Sequence, residues 1–229
     1  MSRDAFLARV RQAAEMGRAY RVHLNAVPEN IGYVGVEEDL VERFAAEVDE
    51  VGGQSYIVAD VEGVQSTLSR LVHEAGAMSA LCWEHELLDR IGLSEFLKAR
   101  GIAQHSQTSL ASLPPDEQRR LMLGCDIGFT SCDCAIAETG TLMVCSRPGQ
   151  ERVASLLPPY YVTIVERRQI VADLIDAFRS LEGSGFRVQG SELASNVTFI
   201  TGPSKTGDIE LQLTTGVHGP GRWRVIVIR

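Results

Sequence analysis

Residues 40–58 read LVERFAAEVDEVGGQSYIV. Leu40, Val41, Phe44, Val48 and Val51 recur at the spacing of one helix face, and Gly52-Gly53 stops that run. Tyr56, Ile57 and Val58 follow as a short β-rich stretch. The same order repeats outward along the chain. Val64, Thr67, Leu68, Leu71, Val72 and Ala75 predict an amphipathic helix halted by Gly76, and 77–83 is apolar and short enough for a buried strand. Ile170, Val171, Leu174, Ile175, Phe178 and Leu181 predict a further helix that ends at Gly183, and residues 3–19 predict another, with Phe6, Leu7, Val10, Ala13 and Ala14 on one side. Strands alternating with helices of this length imply parallel pairing with helices on both sheet faces. The apolar runs 135–137, 142–145, 161–165, 197–200 and 225–228 are expected to complete that sheet. The expected organisation is an α/β domain over 36–229 behind an N-terminal helical extension over 1–35, with Leu113-Pro114-Pro115 and Leu157-Pro158-Pro159 as turns rather than linkers.

Composition excludes several classes. With 229 residues, 45% apolar and 23% charged, the chain resembles an average globular protein and is long enough to bury a core without staples. No apolar run approaches the roughly 18 residues of a membrane span. The first twenty residues mix charge with apolar side chains and lack the apolar region of a secretory signal, so a soluble, cytoplasmic protein is expected. The net charge of −8 is opposite in sign to that of a nucleic-acid binder. Acid is concentrated in Glu37, Glu38, Asp39, Glu42, Glu47, Asp49 and Glu50, against Arg43 alone. After residue 201 the balance reverses, with Lys205, Arg222, Arg224 and Arg229 against Asp208 and Glu210, which places an expected anion site near the C-terminal segment. Five cysteines, an odd number, argue for thiols rather than a disulfide framework.

Three segments carry groups suited to chemistry. In Gly128–Thr141, a small apolar run leads into Glu138-Thr139-Gly140-Thr141. A carboxylate beside hydroxyls and a close-approaching backbone at a strand end suits acid–base work, and the same residues suit a plain hairpin turn. In Thr201-Gly-Pro-Ser-Lys-Thr-Gly-Asp-Ile-Glu210, Ser204 or Thr206 is placed to cap a following helix. Exposed N–H groups and Lys205 would then attract phosphate or carboxylate. The spacing is not that of a Walker A loop. In Thr214–Gly221, glycines flank His218, a residue that titrates near neutral pH. Cys132 and Cys134 lack the spacing of zinc or cluster ligands; in one strand they would share a face, but small buried thiols account for them.

Taken together, the three segments resemble the LUD-domain family. Gly128 to Thr141 is similar to its Gly-x-Thr-x-Ala-Asp-x-Ala-Ile-Ala-Glu-Thr-Gly-Thr pattern, Thr201 to Glu210 to its Thr-Gly-Pro-Ser-Arg/Lys-Thr-x-Asp-Ile-Glu, and Gly216 to Pro220 to its Gly-Val-His-Gly-Pro. Arg152, Ser155, Leu157 and Pro158 extend the likeness. Cys132 and Tyr161 depart from it, standing where relatives carry a small residue and histidine, and are expected to alter packing and ligand preference.

The resemblance implies a three-layer αβα sandwich of the ribose-5-phosphate isomerase and CoA-transferase kind. It also implies a role in oxidising L-lactate to pyruvate, in a system whose partner subunits carry iron–sulfur clusters while this chain binds none. In that role Glu138 and His218 would handle protons. Thr139, Gly140, Thr141, Gly202, Pro203, Ser204, Lys205, Thr206, Asp208 and Gly219 would line a site for a small anionic metabolite, and no metal is expected. The alternative is a stand-alone CoA-transferase or ligase in which Glu138 forms a covalent acyl intermediate. A cysteine-based metal or redox protein is a third reading.

Overall fold

The computed structural model describes residues 3–17, 39–183, 187–188, 192–193, 196–207 and 213–229. The chain divides into two compact units, Met1–Gly32 and Tyr33–Arg229. In the first, α1 (Arg3–Gly17) carries Phe6, Leu7 and Val10 exposed.

The second unit begins with α2 (Leu40–Glu50), which buries Val41, Phe44, Ala45 and Val48 along one face. Each large side chain there contributes roughly 1.5–3 kcal/mol. Asp39 starts the helix by accepting the N–H of Val41 on its carboxylate at 3.0 Å. Then follow β1 (Gln54–Val58), α3 (Val61–Ala75), β2 (Ser79–Cys82), α4 (Glu86–Arg90), α5 (Leu93–Ala99), β3 (Ala103–His105), α6 (Gln107–Leu110), α7 (Pro115–Leu123) and β4 (Ile127–Thr130). Next come β5 (Cys134–Ile136), β6 (Thr141–Cys145), β7 (Tyr160–Glu166), β8 (Ile170–Val171) and α8 (Leu174–Gly183). Two short pairs and two longer strands close the chain: β9 (Arg187–Val188), β10 (Glu192–Leu193), β11 (Val197–Ile200), β12 (Lys205–Gly207), β13 (Leu213–Thr215) and β14 (Arg222–Ile228).

Six strands form the central sheet in the order β1-β14-β7-β4-β2-β3, and every pairing in it is parallel. Its middle strands are mostly buried, as cover on both faces requires. The layering shows in two consecutive residues of β14. Trp223 lies beside Val48 of α2 at Gly53, whereas Arg224 reaches Glu74 of α3 at 2.9 Å, so the two helices cover opposite faces. This is the αβα arrangement. No helix among the described residues is long and apolar enough to cross a membrane.

Three expectations are corrected. The runs 135–137, 142–145 and 197–200 do not join the central sheet; they build a second one, β11-β6-β5-β8, antiparallel except for β5 with β8. Residues 137–140 are too short a link for a parallel crossover, which takes a dozen residues or more, so β5 and β6 form a hairpin. The helix expected from Ile170 begins at Leu174, because Ile170 and Val171 pair with β5 and Asp173 Oδ1 accepts the N–H of Asp176 at 2.8 Å. Finally, no helix starts at Ser204: Lys205–Gly207 is a strand, with Thr206 paired to Thr214. Facing β-branched threonines favour a ladder there.

Candidate functional site

The three motif segments meet at the C-terminal end of α2. Gly140 is the anchor of the first. It has φ +62°, and a Cβ on it would lie 2.6 Å from the backbone of Glu47 and Val48. Only glycine allows the turn to press onto the helix. Gly202 does the same for the second segment, with φ +91° and a would-be Cβ 2.8 Å from the carbonyl oxygen of Val51.

Hydrogen bonds join the segments. Thr139 and Thr141 share one between hydroxyls at 2.7 Å, and Thr141 shares another with Thr201 at 2.8 Å. The backbone of Ser204 receives the N–H of Gly216 and donates to the carbonyl of Pro220, both at 2.9 Å, and Gly219 sits against the Ser204 side chain. Lys205 Nζ donates to the Val51 carbonyl at 2.7 Å, a cation at the negative end of α2, and this is its one hydrogen bond among the described residues. Pro203 packs near Gly52, and Thr206 lies in β12.

Glu138 is half-buried and His218 exposed. Among the described residues neither side chain has a hydrogen-bond or ion-pair partner, so both segments join the cluster while their titratable groups stay free. Asp208 lies outside the described residues. The cluster sits at the amino ends of β1 and β14: Gly53 lies against Trp223, and Gly221 donates to the carbonyl of Pro159.

Other residues of the first motif have structural duties. Asp133 accepts the N–H of Cys145 on Oδ2 at 2.8 Å and pairs with Arg147 through Oδ1. Tyr161 is buried and hydrogen-bonded to Thr130 at 2.7 Å, and burial pushes its phenol up to about 12. All five cysteines are buried and unpaired with one another. Burial raises the thiols of Cys125 and Cys134 to about 11 and that of Cys145 to about 12, so they are protonated and unreactive near neutral pH. Cys132 and Cys134 do not share a face: the first packs into the main core and the second against Ile136, Met143 and Ala177.

A region that the motifs do not mark lies at the other end of α2. There the carboxyl ends of β14 and β7 open into a cavity of about 500 Å³ lined by Leu40, Ile170, Ile228, Glu166, Arg167, Arg168 and Arg229. None of the residues named from the three motifs lines it, although Arg229 belongs to the basic C-terminal segment in which an anion site was expected. Its signal was present, since Glu166-Arg167-Arg168 and Arg229 each follow an apolar strand run, and ligands of open α/β sheets gather outside carboxyl strand ends.

A LUD domain model matches residues 41–228. The chain is 32% identical over 168 residues to lactate utilization protein C of Halalkalibacterium halodurans, covering 73% of this chain and 70% of that one. It is 28% identical over 235 residues to lactate utilization protein C of a Geobacillus species, covering 99% and 95%. Among solved structures, a duf162 family protein from Deinococcus radiodurans superposes with a TM-score of 0.58 at 20% identity, over 83% of this chain and 96% of that one. That last likeness speaks to the fold.

Proposed function

The chain belongs to the LUD domain family, and from that premise we propose that it serves lactate utilisation as a cytoplasmic, non-redox subunit that binds a small monoanion beside iron–sulfur partner proteins. The observation that carries the reading is the meeting of the three motif segments at the C-terminal end of α2, where a threonine hydroxyl chain ties the first to the second and Lys205 reaches the carbonyl of Val51. A 2-hydroxy acid needs a cation for its carboxylate, hydrogen bonds for its hydroxyl and a base within reach. Lys205 supplies the first through its spare protons, Thr139, Thr141 and Ser204 the second, and Glu138 or His218 the third. Gly140, Gly202, Pro203 and Gly219 shape the backbone that holds them, with Thr206 at its border.

The test is lactate oxidation by the chain copurified with its cluster-bearing partners. Glu138→Gln and Lys205→Met are each expected to lower turnover roughly tenfold or more, the scale of losing one positioned acid–base or charged group. Unchanged turnover in both variants, with normal circular dichroism, overturns the site. One observation favours a second reading. Glu138 is half-buried without a partner among the described residues, as a carboxylate nucleophile for acyl transfer would be. Incubation with acyl-CoA esters followed by mass spectrometry decides it, since an adduct on Glu138 is required.

A further inference from the structure

We infer that the cavity at the N-terminal end of α2 is a second ligand site, built for a small dianion that carries an apolar or aromatic body. Three observations support it. The rim is cationic, the floor is apolar, and the acids that hold the rim in place are shared between arginines.

Arg167 and Arg168 come from the turn that follows β7, and Arg229 follows β14. Parallel pairing of these two strands brings their carboxyl ends side by side. Leu40, Ile170 and Ile228 form the floor beneath them. At about 500 Å³ the space matches small-molecule sites, which run from roughly 300 to 1,000 Å³.

Among the described residues the charge arrangement holds more guanidiniums than side-chain carboxylates. Asp39 Oδ1 holds the N–H of Val41, while Oδ2 serves two guanidiniums, Arg167 at 3.3 Å and Arg229 at 3.9 Å. Glu166 likewise serves Arg168, at 2.7 Å, and Arg90. Glu42 meets Arg229. Among the described residues four guanidiniums therefore face three carboxylates. The side chains of Arg167, Arg168 and Arg229 remain 59%, 70% and 45% exposed, so solvent and a solute can reach them. Exposed pairs of this kind contribute little on their own, and an incoming dianion can take the place of Asp39 between Arg167 and Arg229 with bidentate contacts. The positive end of α2 adds to that attraction. A monoanion would only equal what Asp39 already supplies. A dianion exceeds it, and an apolar body gains the floor.

Phosphomonoesters and dicarboxylates share this chemistry, and two probes separate them: phenyl phosphate and phthalate. Binding to the full chain is measured by calorimetry at low ionic strength, with benzoate and inorganic phosphate for comparison. At least one dianionic aromatic probe is expected to bind saturably and at least fivefold tighter than benzoate and than inorganic phosphate. Arg167→Ala and Arg229→Ala are expected to weaken it roughly tenfold each, the scale of a charge-assisted hydrogen bond. Asp39→Asn keeps the helix cap, because asparagine caps as well as aspartate, but removes the competing charge, and is expected to tighten binding severalfold. A gain of affinity cannot come from a fold that has been damaged. No saturable binding of either probe, equal affinity for benzoate, or an Asp39→Asn variant that binds no better than wild type overturns the proposal.

Discussion

The two ends of α2, about 16 Å apart by the rise of its 11 residues, hold opposite kinds of chemistry. At the C-terminal end the three motif segments are knotted by backbone contacts and hydroxyl bonds, with a single ammonium already resting on a carbonyl. At the N-terminal end there is no motif, but three guanidiniums and Glu166 line a cavity with an apolar floor, and Asp39, Glu42 and Arg90 are their ion-pair partners. Close backbone approach restricts which residue can stand at Gly140 or Gly202, and that restriction is what a sequence pattern records. Long exposed arginines impose no such spacing, so a charged basin leaves little trace in a pattern. On the two proposals the difference would also separate ligands by charge. One partly engaged lysine suits a monoanion such as lactate, and an excess of arginine suits a dianion.

The sharpest way to break this contrast is at Gly140. Gly140→Ala forces a side chain at φ +62° into the backbone of α2, and is expected to cost about 3 kcal/mol or more in denaturant melts. A loss below about 1 kcal/mol would mean the turn is not pressed onto the helix. Thr141→Val comes next. It removes the buried middle hydroxyl of a chain whose outer members, Thr139 and Thr201, are exposed and can turn to water, for about 0.5–1.5 kcal/mol by the same measurement. At the opposite end Arg167→Ala is expected to cost less than about 1 kcal/mol, since its pair with Asp39 is solvent-exposed. Equal costs at both ends would erase the distinction between a structural knot and a loosely held rim.

The smallest expected effect is on acid stability. The N–H of Val41, helped by Arg167 and Arg229, holds the Asp39 carboxyl below its ordinary value of 3.8. A depressed carboxylate stabilises the fold above that ordinary value, and the contribution is lost as pH falls through the folded-state value. Asp39→Asn should therefore flatten the acid limb of the stability curve below about pH 4, leaving the variant slightly less stable than wild type near neutrality and converging with it in acid. An identical acid limb in the variant would show that Asp39 does not carry that dependence.

Much of the fold was legible because its signals are local. Leu40 to Val51, the Gly52-Gly53 stop and Val64 to Gly76 became α2 and α3 with the expected ends. What misled were short apolar runs. Residues 142–145 look the same whether they join a parallel sheet or a hairpin, and only the short 137–140 link decides. Ile170 and Val171 fit the period of the helix that follows, yet they are taken by strand pairing with Ala135 and Ile136. For the candidate site, the meeting of three distant segments was legible from their motifs. The engagement of Lys205 with Val51 was not, because it depends on where α2 ends in space. The arginine basin had its basic residues in view after the strand runs, but not their assembly: the acidic stretch around Asp39 and the basic C-terminal segment look like opposite regions in sequence, and parallel pairing of β1 with β14 brings them together.

The most direct measurement is a backbone amide titration of the isotope-labelled chain with L-lactate, followed by nuclear magnetic resonance. Saturable shifts are predicted at 138–141, 201–206 and 216–220, with 166–168 and 229 unmoved. Shifts confined to the arginine end, or none at either end at lactate concentrations that saturate the working system, would contradict the assignment of the motif knot as the monoanion site.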